Sequence, residues 1–180
     1  MNAQASDAAA VELTKPIAAV ILGAGKGTRM KSDMPKVMHK LAGRPLLSHV
    51  IASVEDLAAD QIVVVVGPGM PEVAATAQPH LTVEQTDRLG TAHAALMAQD
   101  QLKHFHGTLM VLFGDTPLVS FEALAGLAAA AESADLAIAA FEPEDPAKYG
   151  RVVLDDNGQL EAIVEFKAAS LEQREIMLCN

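Results

Sequence analysis

Short uninterrupted apolar runs alternate along the chain with stretches whose apolar residues recur at helical spacing. Ile17–Leu22 (IAAVIL) ends at glycine and predicts a strand buried on both faces. Residues 45–57 predict a helix, with Pro45 suited to its first position. Ile62–Val66, closed by Gly67-Pro68-Gly69, is the strongest strand signal. A weak helix over 70–77 precedes a short strand at 81–84. Residues 92–101 read as helix, 109–113 as a buried strand, 121–131 as an Ala-rich helix and 135–141 as another strand. Residues 151–154 and 160–166, joined by Asp156-Asn157-Gly158, predict a hairpin, because Asn-Gly is favoured where two consecutive residues take positive φ.

This rhythm predicts an α/β, Rossmann-like domain: a mainly parallel sheet flanked by helices, with an antiparallel excursion near the C-terminus. Ligands of such sheets bind beyond the carboxyl ends of the strands. Chemistry is therefore sought in segments 23–36, 85–91 and 114–117. No repeat, linker or second domain stands out. The reading is a mostly disordered tail over 1–15 and one domain over 16–180, incomplete at its C-terminus because no clear stop follows the last apolar stretch.

Composition narrows this picture. Hydrophobic residues make up 51% of the 180 and aromatics 3%, without Trp, so the core must be Ala, Val, Leu, Ile and Met. A formal charge of −10 argues against nucleic acid as a macromolecular partner. It leaves room for a nucleotide, which needs only a few local cations. The single Cys179 excludes an intramolecular disulfide and suits a reducing cytoplasm. The first fifteen residues lack the pattern of a secretory signal, and no apolar stretch approaches the roughly 20 residues of a membrane helix. A cytoplasmic protein without membrane partners is expected.

After the first strand comes Gly23-Ala24-Gly25-Lys26-Gly27-Thr28-Arg29-Met30, then Lys31-Ser32-Asp33-Met34-Pro35-Lys36. Three glycines let a backbone approach phosphate and turn its N–H groups inward. A dinucleotide fingerprint does not fit: the third glycine comes one residue early, and no acid ends the second strand to hold a ribose. A Walker loop does not fit either, since Gly-Lys is followed by glycine and Pro35 interrupts the helix that should follow. The remaining reading is a longer anion loop, with the planar fork of Arg29 and the compact charge of Lys36 as its cations. Such placement of charge is most of what phosphoryl and nucleotidyl transfer require.

The pattern L-G-A-G-K-G-T-R-M-x(4)-P-K closely resembles the signature of nucleotide-sugar pyrophosphorylases. The continuation Val37–Leu46 (VMHKLAGRPL) is similar to the bacterial N-acetylglucosamine-1-phosphate uridyltransferase branch. Gly23 stands where that family usually has alanine. Gln85-x(4)-Gly90-Thr91-Ala92-His93, Phe113-Gly114-Asp115-Thr116-Pro117-Leu118, Tyr149-Gly150-Arg151, Ile163-Val164-Glu165-Phe166-Lys167 and the final Asn180 match further elements in the family's order.

The resemblance implies catalytic roles for Arg29, Lys36 and Asp115. It implies nucleotide contacts from Leu22, Gly23, Ala24, Gly25, Gly27, Thr28 and Lys36, and uracil or ribose contacts from Gln85, Gly90 and Thr91. Sugar contacts fall to Gly114, Gly150, Glu165 and Asn180, and Mg²⁺ to Asp115. The implied reaction is uridylyl transfer from UTP to N-acetylglucosamine-1-phosphate, giving UDP-N-acetylglucosamine, a cell-wall and lipopolysaccharide precursor, and pyrophosphate. The family continues with a second magnesium ligand and often an acetylating β-helix, neither of which this sequence contains.

Alternatives stay open. Gly90-Thr91 alone reads as a helix start capped by Thr91, and Asp115 alone as a turn cap. The chain as a whole could be a non-catalytic nucleotide-binding module, or a transferase with another base or acceptor, such as molybdopterin or a different sugar phosphate. A homo-oligomer is allowed. His104-x-His106 has no third ligand at zinc spacing. His39, His49 and His93 suit packing or polar contact.

Overall fold

A computed structural model of the chain describes residues 13–25, 27 and 30–180. It falls into two compact units, Met1–Asp135 and Leu136–Asn180.

The first unit begins with β1 (Ile17–Leu22), followed by a loop, a 3-10 turn over Lys36–Met38 and a small hairpin, β2 (Lys40–Leu41) with β3 (Arg44–Pro45). Then come α1 (Leu46–Asp56), β4 (Gln61–Val66), α2 (Pro71–Thr76), β5 (Leu81–Glu84), α3 (Thr91–Leu96), α4 (Gln99–Leu102), β6 (Thr108–Phe113) and α5 (Phe121–Glu132). Pro45 caps α1 from outside (φ −53°, ψ 146°) rather than standing first in it. The helix expected over 92–101 is two short helices, α3 and α4.

The four long strands form one parallel sheet in the order β5-β4-β1-β6. Strands β1 and β4 are central and apolar at almost every position, as burial on both faces demands. One face carries Ala19, Ile21, Ile62, Val64, Met110 and Leu112 against α1, α2 and α5, which contribute Leu47, Val54, Val73 and Leu124. The other carries Val20, Val63 and Val65 against Ala94 of α3 and Ala98. Leu13 packs against the first face, and Lys15 Nζ donates to Glu132 O at 2.9 Å, so Leu13–Lys15 are held at the sheet's start. The rest of the expected tail, 1–12, lies outside the described residues.

Strand β6 departs from expectation. Met110 and Leu112 are buried, but Leu109, Val111 and Phe113 are 52%, 42% and 51% exposed. They lie beside Ala18, Val20 and Leu22 of β1. Helices α3 and α4 pack over β1 and β4 on that side, and among the described residues of the first unit none covers the same face of β6 at the sheet edge.

In the second unit, β7 (Arg151–Leu154) and β8 (Leu160–Val164) form the expected antiparallel hairpin, followed by α6 (Leu171–Arg174). Its turn is not the one anticipated. Only Gly158 takes positive φ (75°), and Gly158 N donates to Asp155 O at 2.9 Å. Asp155 Oδ1 accepts from Asn157 N at 2.9 Å and Gln159 N at 2.8 Å, so an aspartate side chain organises a longer loop. The strand expected over 135–141 does not form. Phe141 alone makes a bridge, to Cys179, because an apolar run without a paired backbone beside it is not a strand.

Candidate functional site: a cleft at the carboxyl ends of the parallel strands

Strand order decides where the site lies. The chain moves from β1 outward to β4 and β5, then returns to place β6 on the other side of β1. The loops after β1 and β6 therefore diverge at a topological switch point, the usual ligand crevice of such sheets. A cleft of about 300 Å³ opens there.

From the first loop, Leu22, Ala24, Gly25 and Gly27 line this cleft. Gly27 has φ +61°, and a Cβ there would stand 2.7 Å from Lys36 Cβ. Glycine is thus what lets the loop fold back over the residue carrying the cation. Lys36 opens the 3-10 turn directly behind Pro35, its N-cap (φ −53°, ψ 140°). Its ammonium pairs with Asp115 Oδ2, and the two side chains are 45% and 22% exposed. Asp115 is set by a tight turn after β6, in which Thr116 N and Oγ1 both donate to Phe113 O, at 3.2 and 2.8 Å. Lysine and carboxylate thus meet at the cleft although most of the first unit separates them in sequence.

On the β5 side, Gln85, Gly90 and Thr91 line the same cleft. Gly90 is the N-cap of α3 (φ 105°), and Thr91 is its first residue without a capping side-chain bond, so the expectation of a Thr91 cap is corrected. Gln85 is 5% exposed, and its Nε2 reaches Gly90 O and His93 Nδ1, each at 3.1 Å. Arg88, which sequence reasoning passed over, also lines the cleft. Its Nη2 lies 3.0 Å from where a Cβ on Gly67 would stand, at the end of β4. The available signal was a cation inside segment 85–91, already marked for chemistry.

Two glycines expected as ligand contacts are occupied otherwise. Gly23 N donates to Val65 O at 2.8 Å and Gly114 N to Leu22 O at 3.0 Å, extending the sheet ladder. Neither amide is available to a ligand, and neither residue lines the cleft. Thr28 and Arg29 lie outside the described residues.

Within the second unit, Gly150, Glu165 and Asn180 come together. Arg151 pairs with Val164 on one side and Cys179 on the other, which aligns the three residues at one end of the pairing. Asn180 N donates to Gly150 O at 3.3 Å, and a side chain on residue 150 would collide with the Asn180 amide. Arg151 is 1% exposed and gives its guanidinium protons to the carbonyls of Pro146, Ala147, Tyr149 and Arg174. A buried cation so satisfied is a fixed post for its neighbours.

Among the described residues no group of three or more His, Cys, Asp or Glu side chains could enclose a metal. Asp115 is the one carboxylate among the cleft-lining residues. That donor set suits a hard ion that takes most of its oxygens from substrate phosphates and water, as Mg²⁺ does. No helix among the described residues is long and apolar enough to cross a membrane.

Known proteins resemble this chain in both sequence and fold. Bifunctional protein GlmU of Roseobacter denitrificans is 52% identical over 167 residues, 91% of this chain and 37% of its own length. That of Gluconacetobacter diazotrophicus is 50% identical over all of this chain and 40% of its own. The chain thus spans well under half the length of these relatives. Among solved structures, HddC from Yersinia pseudotuberculosis complexed with GMP-PN superposes with a TM-score of 0.66 at 25% identity, covering 82% of this chain and 68% of that one. UDP-glucose pyrophosphorylase complexed with UDP-glucose shares the fold, with a TM-score of 0.68 at 17% identity over 91% of this chain and 73% of that one. The MobA-like NTP transferase domain matches residues 19–174, nearly the whole described chain, and the protein belongs to that family.

Proposed function

We propose that the chain carries the nucleotide-binding and catalytic groups for uridylyl transfer from UTP to N-acetylglucosamine-1-phosphate. The observation that carries this reading is the convergence of the Gly25–Gly27 loop, Lys36, Asp115 and Gln85 on one cleft. Similarity to GlmU proteins at about half identity supports the choice of base and sugar.

In this reaction a phosphate oxygen of the sugar phosphate attacks the α-phosphorus of UTP. The bond from that phosphorus to the bridging oxygen breaks, and pyrophosphate leaves with the electron pair. Amides of the glycine loop, with Arg29, hold the departing phosphates. Lys36 turns from Asp115 to the α-phosphate, where its charge stabilises the negative charge that develops in the transition state. Asp115 would hold a Mg²⁺ ion, which neutralises phosphate charge when bound. Gln85 and the Gly90–Thr91 backbone read the base, while Gly150, Glu165 and Asn180 contact the sugar.

The test is pyrophosphate release from UTP, N-acetylglucosamine-1-phosphate and Mg²⁺, with Asp115→Ala alongside. Release that needs all three components and falls at least about 100-fold in the variant supports the proposal. Tight UTP binding without release would make the chain a nucleotide-binding module instead, a reading favoured by its single cleft carboxylate. Preference for GTP would overturn the uridine assignment.

A further inference from the structure

We propose that His93 is a positioning residue: its ring locks the Gln85 amide with the oxygen toward the cleft, so that the site selects a base edge that donates a hydrogen bond. The proposal deepens the uridine reading above and rests on it for the identity of the base.

The orientation of the amide follows from its neighbours. Gln85 Nε2 lies 3.1 Å from Gly90 O and 3.1 Å from His93 Nδ1. A backbone carbonyl only accepts, so the atom facing Gly90 must be the amide nitrogen. That nitrogen has two protons. One goes to Gly90 O and the other to Nδ1, which must then be the unprotonated ring nitrogen, with the ring proton on Nε2. Reversing the amide would set its oxygen against the Gly90 carbonyl oxygen, a repulsive contact, and would require His93 to take its other tautomer.

Both donors of Gln85 are therefore occupied. Its Oε1 makes no hydrogen bond with a described residue and is not among the polar atoms sealed from solvent. Gln85 lines the cleft while being only 5% exposed overall, so what it offers a ligand is a fixed acceptor. Uracil presents an N3–H donor between two carbonyls. Cytosine presents a lone pair at that nitrogen. An acceptor that cannot turn binds the first and repels the second, and a site built to hydrogen-bond one partner strongly rejects an analogue that leaves it unpaired. Gly90 alone would hold the amide by one bond. His93, on the first turn of α3, supplies the second and occupies a buried proton that would otherwise lack a partner.

The test compares UTP and CTP affinity for the full chain, its His93→Leu variant, which keeps bulk but removes the acceptor, and His93→Gln, which restores one. In ¹⁵N-labelled wild-type protein, scalar coupling between Gln85 Nε2 and His93 Nδ1 reports the hydrogen bond itself. We expect that coupling to be present. We also expect His93→Leu to lose about tenfold of the UTP-over-CTP preference, and His93→Gln to recover most of it. Absent coupling overturns the proposal whether or not the variants fold. So does an unchanged preference in folded His93→Leu, or an equal loss for both nucleotides, which would mark a structural role only. Coupling in a wild-type protein with no preference for UTP would support the lock and overturn the uridine reading.

Discussion

Gly27 shows how closely one residue governs the cleft. Its φ of +61° is disfavoured by about 1–2 kcal/mol for any residue with a Cβ, and such an atom would stand 2.7 Å from Lys36 Cβ. Gly27→Ala is expected to displace the loop from Lys36 and raise the UTP dissociation constant at least about tenfold, as read by titration calorimetry. The urea midpoint should fall only slightly, since the loop can relax into solvent. The glycine spacing and the Pro-Lys that follows singled out Gly27 and Lys36, and the structure brings both to the cleft. Arg88 was not, because one cation in a polar segment resembles any solvated residue until its loop is placed over Gly67.

At the scale of elements, the last two helices and the β7–β8 turn are held by polar side chains. Ser120 Oγ accepts from Ala123 N at 3.2 Å to begin α5, and a capping box of Ser170 and Gln173 begins α6. In the β7–β8 turn, the backbone N–H of Gln159, and less strongly that of Asn157, hold the Asp155 carboxyl below the ordinary carboxylate range. The folded carboxyl thus takes up a proton less readily than the unfolded one. Its stabilisation is complete above the unfolded pKa of about 4 and is lost as pH falls through the folded value. Asp155→Ala should therefore lower the urea midpoint at pH 7, and the gap to wild type should close below about pH 4. A gap that did not narrow as the pH was lowered below about 4 would show that the turn does not depend on the ionised carboxyl. The Asn-Gly pair announced a turn here, but not that an aspartate upstream would set its length.

For the molecule as a whole, the bare face of β6 is the feature with a solution consequence. Leu109, Val111 and Phe113 form an apolar row on an edge strand, a surface that commonly seeks cover. Sedimentation velocity should show concentration-dependent self-association, reduced by Val111→Lys. Because Val111 is 42% exposed, that change should leave the unfolding free energy from urea titration within about 0.5 kcal/mol of wild type. Continuous apolar composition predicted burial for this strand. Apolar composition gives a strand the capacity to be buried, but only the placement of α3 and α4 over β1 and β4 reveals which face is covered.

Local pattern sufficed to determine that the chain is α/β and where most of its strands and helices lie. Periodicity and turn residues act over a few positions, and strands joined by helices run parallel with their loops at one end. Tertiary structure decided strand order, and with it the meeting of Lys36 and Asp115. It decided that the amides of Gly23 and Gly114 complete the sheet instead of facing a ligand. It also decided which way the Gln85 amide points. Each of these depends on a hydrogen-bond partner distant in sequence or set by the fold, and a pattern of apolar and polar residues records burial without naming the neighbour.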